Sequence, residues 1–421
     1  MQGMLVPFLP PPRDPAVDDL LGEIPSDLFS ERLYQSCELV ERYVSDWAVA
    51  IGERLGLEPE LATGATAREL LRARGYPAGE SPALAWLLAR LAAAGHLEET
   101  AAAAEADGPS YRLARALPVP ELAELRALGL AIDPAIAPTL AILDAAGEAF
   151  PKVLAGALTG EQALFTSARM PLWTEYFHNA NPIYALNNHI AAIAAANRLP
   201  AIAAADRVPA GGGRRILEIG AGAGSAAEAL LDELQRRGRL DEIAEYRLTE
   251  PNPMLRRRAS RALAARYPGL ALADQAYDID LAPAAQGLPE ASFDLVFAVN
   301  VLHIARDLRA SLEWLRSLLV PHGWLVGGEC QRLFPGQTIP IELIFEQLAS
   351  FTNVALDPEV RTSHGFLTPE QWQSAFAATG FTAVADVPDL ARIREHYPRF
   401  FSGALCARRP ATDDPSIPQG A

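Results

Sequence analysis

The chain has no apolar run approaching the roughly 18 residues that a membrane-spanning helix needs, so no membrane partner is expected. Its three cysteines, Cys37, Cys330 and Cys406, stand far apart. They offer neither a disulfide framework nor a CxxC knuckle, and no metal is expected. The opening MQGMLVPFLPPPRDP lacks a basic stretch followed by an apolar core and a small-residue cleavage site. The expectation is therefore a protein with no secretory leader, in a reducing cytoplasm. Positive charge is also scarce. With 36 basic against 52 acidic side chains the net charge is −16, a field that repels polyanions and argues against a nucleic-acid partner. Internal repeats are lacking as well.

Half of the residues are hydrophobic and 21% are charged, the balance of a globular protein, and 421 residues suffice for two or three domains. Residues 1–28, rich in proline and acidic groups, predict a flexible arm. Leu33, Cys37, Val40, Val44 and Trp47 recur at helical spacing over 33–57. Thr66 is placed to cap a short second helix, and a third over 81–94 stops at Gly95. Residues 96–113 then suggest a hairpin with a polar tip. That order is winged-helix-like, and the domain is assigned to 29–118. A DNA-reading third helix needs basic and amide side chains, whereas ESPALAWLLARLAAAG is nearly all apolar. Packing, or homodimerisation through this N-terminal domain, is the expected role.

Residues 119–205 are alanine-rich and predict a helical lid, within which PLWTEYFHNANPIYALNNH (171–189) is dense in aromatics and amides. From Arg214 short apolar strands alternate with helices, the pattern of an α/β domain with a mostly parallel sheet, assigned to 206–410. Strands are predicted at 215–219, 246–249, 293–299 and 324–328, and a flexible tail at 411–421. Arg256, Arg257, Arg258 and Arg261 form a local basic cluster, a solvated helix face or a landing place for an acidic partner.

RRILEIGAGAGSAAEALL reads as a buried strand, a glycine-rich turn and a helix. Gly220, Ala221, Gly222 and Gly224 allow a sharp bend and close ligand approach. Two details argue against a dinucleotide. The GxGxxG/A spacing fails at Ser225, and Glu218 would set a carboxylate against a pyrophosphate. S-adenosyl-L-methionine brings an ammonium and a sulfonium instead, so electrostatics favours it. Glu250, followed by Pro251, ends the next strand where an acid can bind both ribose hydroxyls. Asp278 is assigned to the adenine amine and Ile279 to the ring face, with Asp280 a rival for the first role. Asn300 and His303 follow the strand FDLVFAV and should lie beside the methyl donor, beyond the carboxyl ends of the strands.

The run SFDLVFAVNVLHIARDLRASLEWLRSLLVPHGWLVGGE, with DIDLAPAAQGL upstream and DPEVRTSHGFLTPEQW and ATGFTAV downstream, resembles the C-methyltransferase domains of polyketide synthases over about 150–410. The resemblance implies a Rossmann-like class I methyltransferase fold and a His–Glu pair, falling on His303 and Glu329. It also implies an active-site amide at Asn300 and a lid tyrosine, for which Tyr184 is the candidate and Tyr176 the runner-up. The implied reaction is methylation of the α-carbon of a β-ketoacyl substrate, carried on an acyl carrier protein or free as a small molecule. Such a carbon is acidic enough for imidazole, whose ordinary pKa is about 6.5, to act as general base. A carboxylate on its other nitrogen would fix the tautomer, while the amide and a hydroxyl steady the enolate oxygen. Ile304 and Ala305 replace the family's A-T, and His322 interrupts its P-G-G, without removing a catalytic group. Met1 at one end and no synthase module at either lead to the expectation of a free-standing enzyme. The strongest rival is a small-molecule O- or N-methyltransferase using the same histidine. A cofactor-binding cyclase or structural partner and a nicotinamide oxidoreductase are weaker rivals.

Overall fold

The computed structural model describes residues 8–100, 108–203 and 213–411. Three small strands frame the first helical region: β1 (Ala65–Thr66) pairs with β3 (Ser110–Leu113), which pairs with β2 (Leu97–Thr100) in the predicted hairpin. Helices Glu31–Leu55, Ala67–Arg74 and Ser81–Ala93 surround them. Gly56 ends the first in a left-handed conformation, and Thr66 and Glu69 form a reciprocal cap at the start of the second. The apolar residues of the third helix are used within the chain. Leu84, Leu87, Leu88 and Leu91 are buried, and Trp86 donates to the buried Glu342 at 3.1 Å.

The first 28 residues are not all a free arm. Val17, Leu21 and Ile24 are almost wholly buried, in a cluster that also holds Phe29, Tyr397 and Phe400. Their helix-like spacing was masked by the flanking prolines and aspartates. The first seven residues, the hairpin tip at 101–107 and the tail beyond 411 lie outside the described residues.

The second half builds one seven-stranded sheet from β4 (Arg214–Ile219), β5 (Ile243–Thr249), β6 (Leu272–Gln275), β7 (Phe293–Val299), β8 (Leu319–Cys330), β9 (Thr382–Val387) and β10 (Ser402–Arg408). The order across it is β6-β5-β4-β7-β8-β10-β9. β10 is antiparallel to both neighbours and the other pairings are parallel. The connection reverses direction between β4 and β7, so their carboxyl ends open a crevice at the centre of the sheet.

The last part of the expected lid does more than cover this crevice. Helix Pro182–Ala203 buries Ile190, Ala191, Ala194 and Ala195 in the cluster that contains Phe297 and Val326 of the sheet. A Cβ placed on Gly328 would come within 2.8 Å of the Ala191 Cβ. Alanine on the helix and glycine on the strand let the two backbones meet, which explains the composition of this stretch. Among the described residues no helix is long and apolar enough to cross a membrane.

Candidate active site

β4 runs into a tight turn in which Gly220, Gly222 and Gly224 have φ of +65°, +53° and +91°. The turn is tied to β5 by Ala221 N–H donating to the Thr249 carbonyl at 2.8 Å and by the Thr249 hydroxyl donating to the Glu218 carbonyl at 2.7 Å. Gly220 is needed for packing, since a Cβ there would sit 2.5 Å from Val301. At Gly222 a Cβ would meet nothing within 4 Å. That position faces open space, as a ligand cradle requires.

Glu250 closes the turn from the next strand. Its carboxylate accepts from Gly222 N–H at 3.0 Å and Asn252 N–H at 2.8 Å. Pro251 is exposed beside it, and Arg256 donates to the Glu250 carbonyl at 2.6 Å. Asp278 is exposed, whereas Asp280 accepts from Arg306 N–H at 2.6 Å and is thereby tied to the segment after His303. Ile279 is 8% exposed and packs in the core beside Tyr277 and Leu217.

Glu218 lies under the turn, 1% exposed, accepting from the Tyr246 hydroxyl at 3.0 Å. Burial, with the Glu250 charge adding to it, pushes its pKa from 4.5 up to about 8. A cation arriving above the turn favours the carboxylate form, so the cradle suits a positively charged cofactor. The same shift has a sign for stability. The folded chain holds a proton that the unfolded chain gives up, so the contribution of Glu218 to stability is fully present below about pH 4.5 and is lost as pH rises through about 8. Urea unfolding between about pH 5 and pH 8 is expected to show a decline that Glu218→Gln flattens. An equal slope in both proteins would remove Glu218 as its source.

The second half of the site stands at the ends of β7 and β8. Asn300 turns the chain out of β7 at φ +55°, a conformation asparagine tolerates, and its N–H donates to the Gly328 carbonyl at 2.7 Å. One short helical turn, Leu302–Ile304, carries His303. Glu329, one residue beyond the Val299–Gly328 pair of the ladder, reaches this turn from β8. One of its oxygens accepts from Val301 N–H at 3.0 Å and Leu302 N–H at 2.7 Å, and the other meets His303 Nδ1 at 2.6 Å. Glu329 is wholly buried and His303 is 3% exposed. With Nδ1 engaged by the carboxylate, Nε2 is the nitrogen left for a molecule in the cavity.

That cavity, of about 210 Å³, lies between the sheet and the N-terminal helices and is lined by His303, Asn300, Tyr176 and Tyr184, four of the residues expected there. Glu329 stands behind His303 and does not line it. Three aromatic rings surround the imidazole: Phe366, Phe351 and Phe345, with centroids at 4.7, 5.8 and 6.3 Å. No sequence periodicity announces them, because Phe345 and Phe351 come from helices of four residues and Phe366 from a loop. Asn187, in the amide-rich stretch but not singled out, donates to the Asn300 Oδ1 at 2.9 Å while its own Oδ1 is buried without a partner. Tyr184 is hydrogen-bonded to Ser225 and Asn188, and burial pushes its pKa up to about 12. Burial raises the Tyr176 hydroxyl as well, so both hydroxyls keep their protons and can donate. His178, His189 and His364 do not line the cavity, and the described residues contain no metal-ligating cluster.

Residues 217–325, which span the glycine turn and both sides of the crevice, match the family model of a methyltransferase domain. This part of the chain is a methyltransferase domain. The open cradle at Gly222, with Glu218 buried beneath it, fits S-adenosyl-L-methionine. The methyltransferase is 36% identical over 176 residues to the highly reducing polyketide synthase ALT1 of Alternaria alternata, covering 42% of this chain and 6% of that protein. It is 30% identical over 250 residues to the highly reducing polyketide synthase valA of Aspergillus terreus, covering 58% of this chain and 9% of that one. It thus spans less than a tenth of the length of these relatives. Among solved structures its fold is similar to that of the CurJ carbon methyltransferase, with TM-score 0.73 and 22% identity over 94% of this chain and 96% of that one. It is equally similar to the DszA carbon methyltransferase, with TM-score 0.72 and 22% identity over 96% and 98%. The fold is that of the class I methyltransferases, resembling the polyketide synthase domains.

Proposed function

We propose that this methyltransferase methylates the α-carbon of a β-ketoacyl substrate, with His303 as general base. The observation that carries the reading is the 2.6 Å contact between His303 Nδ1 and the buried Glu329, at the wall of a largely apolar cavity. Nε2 takes the proton from the carbon between ketone and thioester, and Glu329 stabilises the imidazolium that forms. The Asn300 Oδ1 accepts from Asn187, which leaves the NH₂ group of Asn300 to donate to the enolate oxygen. A hydroxyl from Tyr184 or Tyr176 supplies a second donor. The apolar walls exclude water and strengthen each of these interactions. Gly220, Gly222, Glu218 and Glu250 hold the cofactor, Asp278 reaches its base and Ile279 supports the ring. When bound, S-adenosyl-L-methionine supplies a methyl group already activated on a positively charged sulfur.

The curated relatives are polyketide synthases, which supports an acyl acceptor for this chain, on a carrier protein or free. The test is product analysis with a ¹³C-methyl donor and a β-ketoacyl thioester. A carbon-13 methyl doublet coupled to one proton on the adjacent carbon is expected. A methoxy or N-methyl signal would establish the heteroatom reaction instead.

A further inference from the structure

The segment DPEVRTSHGF lies outside the glycine turn and the His–Glu pair, yet its arginine is fully buried. Arg361 makes no ion pair among the described residues. Its guanidinium donates only to main-chain carbonyls: Nη1 to Ala305 at 2.8 Å, Nη2 to His303 and to Gly365 at 3.2 Å, and Nε to Ser363 at 3.3 Å. Two of these carbonyls flank Ile304 in the turn that carries the imidazole. The other two belong to the loop that presses Phe366 onto it. Gly365 permits this with φ +74°, and a Cβ there would strike the Phe351 ring at 2.8 Å.

We propose that Arg361 is a positioning residue for the base, fastening the His303 turn to the Phe366 loop and setting a positive charge behind the His–Glu pair. This rests on His303 being the base. A buried cation without a carboxylate in contact is costly to keep, and burial lowers its pKa to about 10, with the Glu329 charge acting in the opposite sense. The Arg361 charge is felt at Glu329 and opposes the field of that carboxylate at the imidazole. The other charged groups around the imidazole are Asp280, on the Arg306 N–H, and the set Arg332, Glu342, Glu346 and His364. The members of that set are hydrogen-bonded to one another.

The experiment measures kcat, KM and the pH profile of kcat/KM for Arg361→Lys and Arg361→Gln, with calorimetric cofactor binding to show that each is folded. Arg361→Lys keeps the charge but loses the fork. It should retain the position of the acid limb while kcat falls about tenfold or more with little change in KM. Arg361→Gln should lose a similar amount and also move the acid limb up by about one pH unit. Equal losses with an unmoved limb would mean a merely structural staple, and an unchanged kcat in the lysine variant alone overturns the proposal even if the glutamine variant fails to fold. His303→Ala, run in parallel, separates the two ideas. Turnover surviving in that variant refutes the base assignment itself, whereas turnover lost there with wild-type behaviour of both Arg361 variants refutes only this inference.

Discussion

His303→Ala is expected to lower turnover by about a thousandfold or more while the Kd for S-adenosyl-L-methionine stays within about twofold. General bases contribute about 10² to 10⁴ to rate, and this one has no nearby substitute: Cys330 lines the same cavity, but burial raises its pKa well above the ordinary thiol value. The cofactor cradle should survive, because its contacts run between β4, β5 and the glycine turn and none involves the imidazole. Glu329 keeps its two main-chain donors, Val301 and Leu302, so the turn retains its anchor. Single-turnover kinetics and calorimetry on the same preparation read both quantities. Cofactor affinity lost in step with turnover would mark His303 as a structural residue.

Gly222→Val should abolish cofactor binding, weakening it by at least about a hundredfold, without unfolding the chain. The Cβ itself meets nothing within 4 Å, so the protein tolerates it sterically, and the branched side chain then fills the ligand's space. Forcing valine to φ +53° costs about 1–2 kcal/mol of stability. Gly238→Val is the control, because Gly238 has φ +68° and equally open surroundings at the far end of the following helix. Both variants should melt alike, and only the first should lose the cofactor. Intact binding in Gly222→Val would place the cofactor elsewhere.

The parts of this molecule that the sequence reveals are those where one short segment decides the outcome. FDLVFAV is apolar but for Asp294, because both faces of β7 are covered beyond that residue, and its predicted limits coincide with the observed strand. Glycine, histidine and glutamate mark strand ends, so the cradle, His303 and Glu329 could be placed along the chain before their contacts were known. β6, β9 and β10 escaped notice for physical reasons. LADQ is a four-residue strand at one edge of the sheet, TAVADV is partly exposed at the other, and SGALCAR runs against the parallel pattern. The rings around His303 come from positions 345, 351 and 366, none in a regular strand, so no periodicity announced them. Alanine richness in 182–203 was readable as helix, but its partner, Gly328, is more than a hundred residues away.

The close seam between Ala191 and Gly328 also limits how an acceptor can enter. The helix that brings Tyr184 and Asn187 to the cavity cannot swing outward without peeling from the strand that carries Glu329, and one added methyl group at Gly328 would already collide. Entry therefore falls to the opposite margin, where Phe165 and Ile304 line the same cavity while remaining 43% and 37% exposed. This doorway has two unlike jambs: Phe165, stacked on Trp173, follows a short helix, and Ile304 sits on the turn next to the base.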